Sequence, residues 1–170
     1  MENGFWQETA DGQKKVGSDN PPWVVFRLDD QRYGLRLDRV RRSIRVVAVV
    51  PLPEAPAIVL GVIDLAGEVL AVIDLRQRFG HPHREIRLTD QLLIAWTGRR
   101  TVALLVDETL GVIDAAPESY TPVDDTVPGV GFIEGTLRCE DGLVLIHDLG
   151  RLLSLDEEAA VDHALEVLNP

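Results

Sequence analysis

Residues 61–75 read GVIDLAGEVLAVIDL: two short apolar runs, Val62–Leu65 and Val69–Leu75, on either side of a break at Ala66, Gly67 and Glu68. Val- and Ile-rich runs of this length, interrupted by glycine, predict the two strands of a hairpin. Gly67 supplies the left-handed backbone that a tight connection needs. The pattern returns 74 residues later, where residues 135–149 read GTLRCEDGLVLIHDL. Aligned without a gap, Gly61 matches Gly135, Ile63 matches Leu137, Val72 matches Ile146, and Asp74 matches Asp148. The chain thus reads as two copies of one small β-unit. Gly61, Gly67 and Gly135 are its turn and hairpin glycines, and Asp74 and Asp148 are expected to accept turn N–H bonds.

Upstream of this hairpin, Trp23–Leu28 and Arg32–Leu37 are predicted strands joined by a turn at 29–31. Asp38 is placed to cap a short helix over Asp38–Ile44, with Val40 and Ile44 one turn apart. Val46–Val50 reads as another strand, stopped by Pro51 and Pro53. Downstream, Leu92–Trp96 and Thr101–Val106 are strands, and residues 102–113 align with 33–44 at an offset of 69. The five-residue difference between the two offsets falls most easily in the loop from Pro117 to Pro128. Residues 129–138 and 143–149 close the second hairpin. Ser154 and Glu157 have the spacing of a capping box, opening a helix over 155–168 with Val161, Ala164, Leu165 and Leu168 on one face.

Short strands, frequent turns and an internal repeat predict a mainly β fold of two small barrels, which leave no exposed sheet edges. The barrels are expected from the repeats around 23–80 and 90–150, pressed together over a shared core; a single sandwich is the lesser option. Residues 1–22 are polar, lack periodicity and are expected to form a disordered tail.

The chain has 170 residues, 45% of them hydrophobic, and a formal net charge of −11. That charge argues against nucleic acid or anionic lipid as a partner, since both need dense Lys and Arg. A single cysteine, Cys139, excludes an internal disulfide. No apolar run reaches the roughly 18 residues of a membrane span, so no direct membrane insertion and a cytoplasmic location are expected. The sequence offers little for catalysis. His147 and Asp148 resemble the dipeptide of metal phosphohydrolases, the basis of a metal-dependent hydrolase alternative. On a strand, however, the two side chains point to opposite faces. His81 and His83 lack partners at zinc spacing. No catalytic residue, metal or cofactor is therefore expected.

Taken together, these motifs resemble the CheW-like coupling proteins of bacterial chemotaxis. The carriers are the 61–76 hairpin, Tyr33 and Gly34 with Val40 following, the Pro51–Pro53 segment, VALLVD at 102–107, Gly111 and Val112, and LIHDL at 145–149. The resemblance covers about residues 23–165 and implies two five-stranded SH3-like barrels without catalytic activity. It implies an adaptor that joins the regulatory domain of a CheA-type histidine kinase to the cytoplasmic tip of a methyl-accepting chemoreceptor. It places a receptor groove at Val40, Ala66 and Val112. Where the family usually carries Asn-Leu-Arg-Gly, this chain has Asp64, Leu65, Ala66 and Gly67, so the usual arginine is absent. Arg42 or Arg45, from the basic cluster around Val40, is the candidate replacement. The missing cation also admits a module for a different receptor, serving surface motility or another non-swimming output.

Overall fold

The computed structural model describes residues 22–124 and 131–168. The tail expectation falls on residues outside this range, Pro22 excepted. Eleven strands follow in order: β1 (Trp23–Leu28), β2 (Gln31–Arg36), β3 (Val40–Arg45), β4 (Val59–Leu65), β5 (Glu68–Asp74), β6 (Gln91–Trp96), β7 (Thr101–Val106), β8 (Glu108–Ile113), β9 (Tyr120–Pro122), β10 (Ile133–Cys139) and β11 (Gly142–His147). Helix α1 (Leu75–Phe79) follows β5, and α2 (Leu155–Leu168) closes the described chain.

The strands make two sheets, ordered β8-β1-β2-β11-β10-β9 and β3-β6-β7-β5-β4, which curl into two small barrels. This corrects the assignment of one barrel to 23–80 and the other to 90–150. Strands β1 and β2 of the first copy join β8, β10 and β11 of the second, and β6 and β7 cross the other way. The two copies exchange their leading hairpins. The sixth strand, β9, lies in the loop that carries the five extra residues.

Register supports the duplication strand by strand. Val24 faces Leu35, and their counterparts at offset 69, Leu93 and Leu104, face each other as well. Ile63 faces Leu70, and at offset 74 Leu137 faces Val144. The parallel pair Ala71 and Val102 returns as Leu145 and Tyr33. A pseudo-twofold relation therefore connects the barrels.

Three cores result. Ile63, Leu70, Val72, Leu92, Ile94 and Ala103 fill the five-stranded barrel. Trp23, Val25, Leu137, Val144 and Ile146 fill the six-stranded one. The largest cluster lies between them, where Val24, Phe26 and Leu35 of one sheet meet Ile73, Leu93 and Leu104 of the other. Strands β1, β6 and β7 are buried on both faces, which is why they read as unbroken apolar runs. Each fully buried Leu, Ile or Phe contributes about 1.5–3 kcal/mol, so the shared core is the main reason the barrels stay together.

The helix expected over Asp38–Ile44 is a 3-10 turn (Leu37–Arg39) followed by β3. Val40 and Ile44 suit a strand as well as a helix face, and pairing with β6 satisfies backbone groups a lone helical turn would leave open. Asp38 does not cap that turn; its carboxylate pairs with Arg36 at 3.2 Å. Val46–Val50 is not a strand and contributes one bridge, Val50 to Val62. The capping box is present in both directions: Ser154 N–H donates to Glu157 Oε1 at 2.9 Å, and Glu157 N–H to Ser154 Oγ at 3.1 Å. Helix α2 buries Val161 and Ala164 and is tied down by Arg78, whose guanidinium meets the Glu157 carboxylate at 2.5 Å.

Candidate functional site

Strands β3 and β8 are the sheet edges that meet at the seam between the barrels. Val40 pairs with Ala95 and Ser43 with Leu93, while Thr109 pairs with Phe26 and Val112 with Val24. All four partners belong to the shared core, so Val40, Ser43, Thr109 and Val112 present the seam face of their strands. Across it, Ser43 Oγ and Thr109 Oγ1 are 3.0 Å apart, and Thr109 N–H donates to Gln91 Oε1 at 2.5 Å. The offset of 69 makes Thr109 the counterpart of Val40, and Val112 that of Ser43. The same relation therefore carries the Ser43–Thr109 contact onto Val112 and Val40. Val40 is 9% exposed and Val112 is half-buried against the same core. The seam thus carries a short apolar strip beside a hydroxyl pair.

The remaining groove candidates are spread out. Arg42 pairs with Ile94, whose side chain lines the five-stranded barrel, while Arg45 pairs with Gln91. Three residues apart on a strand, the two arginines point to opposite faces, and Arg45 shares the face of Ser43. Both are exposed and neither is ion-paired with another described residue. Ala66 sits exposed at the tip of the β4–β5 hairpin. Its φ of 52° and the 89° of Gly67 give the two left-handed residues of a tight hairpin loop, and Asp64 Oδ1 accepts the Gly67 N–H at 2.7 Å. The tip is linked to β3 by Arg41, which follows Val40 and pairs with Glu68 at 3.2 Å.

The repeat's own residues hold the frame. A Cβ at Gly61 would lie 2.2 Å from the Val50 carbonyl oxygen, and one at Gly135 2.5 Å from the Tyr120 ring; both strands depend on this close approach. Asp74 accepts the Gln77 N–H at the start of α1, and Asp148 accepts the Gly150 N–H at 2.9 Å. His147 is buried with its ring edge-on to Phe79, centroids 4.8 Å apart. Desolvation, with Arg78 nearby, pushes it down to about 3, so it is neutral. His147 and Asp148 do not converge, and among the described residues no group of three or more His, Cys, Asp and Glu is placed to hold a metal ion.

One feature of the seam carried almost no signal in the sequence. Arg76, 5% exposed, lies between two carboxylates. Its Nη1 and Nη2 donate to the Asp29 carboxylate at 3.0 and 2.7 Å, and Nη2 reaches Asp107 at 2.7 Å. Asp29 belongs to the β1–β2 turn of one barrel, Arg76 to α1 of the other, and Asp107 to the crossover between β7 and β8. Arg84 joins Asp107 at 2.6 Å and Asp90 at 2.8 Å, and His81 bridges Asp29 and Tyr33. The Arg76 guanidinium holds Asp29 at about 2, below its ordinary 3.8. Burial pushes Asp107 up, but Arg76, Arg84 and the Asp29 N–H outweigh it and leave that carboxyl low. This is an ionic clamp across the barrels.

Among the described residues, no helix is long and apolar enough to cross a membrane. Residues 22–157 match the family model of the CheW-like domain. The chain is 29% identical to the chemotaxis protein CheW of Rhizobium meliloti over 139 residues, covering 81% of this chain and 90% of that protein. It is 30% identical to the chemotaxis protein CheW of Thermotoga maritima over 132 residues, covering 76% and 85%. Among solved structures, the scaffolding protein TtCheW from Thermoanaerobacter tengcongensis superposes with a TM-score of 0.74 at 28% identity, covering 81% of this chain and 95% of that one.

Proposed function

The chain belongs to the CheW-like domain family, and from that premise we propose that it is a non-catalytic coupling adaptor in chemosensory signal transduction. It binds the regulatory domain of a CheA-type histidine kinase and the cytoplasmic tip of a chemoreceptor, and works in the cytoplasm at receptor arrays. The observation that carries this reading is the two-barrel body with an apolar strip at its seam. A body with two barrels and a seam between them offers separate faces to two partners at once. The seam at Val40 and Val112 suits an amphipathic helical partner, which anchors by apolar side chains at helical spacing; the half-buried Val112 contributes up to about 1 kcal/mol when covered, while Val40, already buried, shapes the floor of the seam. Arg45, on the seam face, is the better placed of the two candidate cations for acidic groups on that partner.

A second reading rests on Ala66. At the hairpin tip it offers a methyl group and no hydrogen bond, which favours a receptor of different surface chemistry and an output other than swimming. The test is a pull-down from the protein's own cell extract. Joint recovery of a CheA-type kinase and a chemoreceptor supports the adaptor; recovery of neither by folded bait removes it. Recovery of kinase with a membrane protein of another class selects the second reading.

A further inference from the structure

The pseudo-twofold relation pairs places where the two copies have diverged. At offsets of 69 and 74, Asp29 corresponds to Gly98, Arg76 to Gly150, and Asp107 to Asp38. The clamp is therefore not repeated, and a cavity of about 110 Å³ beside Arg39, Glu134 and Gly150 lies at the second place. Its acid and its arginines answer one another electrostatically and leave no group for a ligand to satisfy.

A second divergence leaves an apolar opening. Between edge strand β8 and the β10–β11 hairpin, the six-stranded barrel has a pocket of about 200 Å³ lined by Val25, Leu110, Gly111, Ile113, Cys139 and Val144. Val25 and Val144 belong to the barrel core, so the pocket leads from the surface to that core. In the five-stranded barrel, Arg42 stands in place of Gly111 and Leu65 in place of Cys139. The pairing agrees: Gly111 faces Val25 as Arg42 faces Ile94, and Cys139 faces Gly142 as Leu65 faces Glu68. Leu65 packs on its own barrel core; a thiol and a hydrogen atom at the two positions leave room instead. At the rim, Arg32 and Asp141 pair with each other at 3.6 Å. What remains to be covered is apolar. A dry cavity of about 150 Å³ holds a benzene ring, so this pocket admits a phenyl side chain.

The chain itself carries such a side chain nearby. Residues 1–21 precede the described body, and Phe5 and Trp6 are their only aromatics. That segment joins the body at β1, where Pro22 accepts the Leu37 N–H at 2.9 Å and Trp23 helps fill the six-stranded barrel. Val25, on the pocket wall, is two residues further along the strand, about 7 Å away at roughly 3.3 Å per residue. Seventeen residues separate Phe5 from Trp23 and can span up to about 55 Å, several times that distance. Tethering of this kind gives an effective concentration on the order of millimolar. We propose that Phe5, with Trp6 beside it at the rim, docks in this pocket, so that the chain's own N-terminal segment closes the mouth of the six-stranded barrel. Any partner bringing an apolar side chain to the same mouth must displace it. The proposal is independent of which kinase or receptor the chain serves.

Cys139 is the only cysteine of the chain and lies in the pocket wall, so its reactivity reports on the occupant. The experiment compares alkylation by N-ethylmaleimide of the full chain and of a Phe5→Ala, Trp6→Ala double variant, at low and high protein concentration. Both substitutions leave the barrel core unaltered, and circular dichroism checks that the fold is matched. The thiol of the full chain should react at least about fivefold more slowly, the ratio reached when about four-fifths of the molecules are docked. Nuclear Overhauser contacts from the Phe5 ring to the Val144 methyls are expected in the full chain. Cys139→Leu, which installs the filler of the other copy, should abolish them. Equal alkylation rates in the two chains, or absence of the Phe5–Val144 contacts, overturn the proposal. Protection that fades on dilution assigns the pocket to a second copy, and protection that survives in the double variant assigns it to another segment; either result overturns the proposal as well.

Discussion

On one barrel, Arg76 locks the seam from between Asp29 and Asp107; on the other, glycines stand in place of the arginine and one aspartate, and a cavity opens. The hairpins at the two places share register and a left-handed turn residue, but Arg76 lies in a helix and Gly150 in a 3-10 turn. Side chains, with that local change of backbone, make one a clamp and the other a pocket. Duplication therefore leaves this molecule a choice at each pair of equivalent positions. One copy can hold the barrels together while the other is released from that task, because one clamp and the shared apolar core suffice for docking.

The largest expected effect separates the two places by stability. Arg76→Ala removes the bidentate partner of Asp29 and one of the two arginines on Asp107, leaving Arg84 and the Asp29 N–H on that carboxylate, and should lower the unfolding free energy by about 1.5–3 kcal/mol. Arg39→Ala at the related place should change it by less than about 0.5 kcal/mol. Urea denaturation of the two variants side by side checks the pair, and equal losses would erase the distinction.

Next comes the imidazole. His147→Ile installs the residue of the other copy, Ile73, removes two buried nitrogens that have no hydrogen-bond partner among the described residues, and should stabilise the chain by about 1–2 kcal/mol in the same assay. A loss of stability would mean that His147 has a structural partner in solution.

The smallest effects differ in sign with pH. Asp29 and Asp107 have folded-state pKa values below their unfolded ones. Their contribution is present above about pH 4 and is lost as pH falls toward the Asp29 value of about 2. Glu134 is raised, so its contribution is present at acid pH and lost as pH rises through its folded value. Thermal melts of Asp29→Asn should show a shallower acid limb between pH 4 and 2 than the unaltered chain. Glu134→Gln should raise the midpoint by roughly 1–2 °C at pH 7, the size of shift a few tenths of a kcal/mol gives. Identical pH profiles for the two variants would show that the two places do not differ electrostatically.

The fold was legible where chemistry is local. The Ala66–Gly67 turn and the Ser154–Glu157 capping box bond within a few residues of themselves, and the apolar runs of β6 and β7 mark buried strands whichever neighbours they take. The exchange of hairpins was not legible, because β1 pairs with β8 across more than 80 residues and each strand's apolar pattern serves either partner. Strand β3 misled for a related reason: Val40 and Ile44 fit two periodicities, and only the edge of β6 decides between them. The clamp left almost no trace, since Asp29, Arg76 and Asp107 lie in three separate turns and read singly as surface charges. Val40 and Val112 were named through family resemblance, and the register then showed that they occupy one seam without being equivalent to each other.

Binding of a chemoreceptor-tip fragment to the unaltered chain and to Val112→Asp, compared by titration at matched circular dichroism, bears most directly on the seam as the place of partner contact. A charge on the apolar strip should weaken receptor binding by more than about tenfold, while affinity for the kinase regulatory domain stays unchanged. Unaltered receptor affinity in Val112→Asp would contradict the assignment of the seam and move partner binding to another face of the barrels.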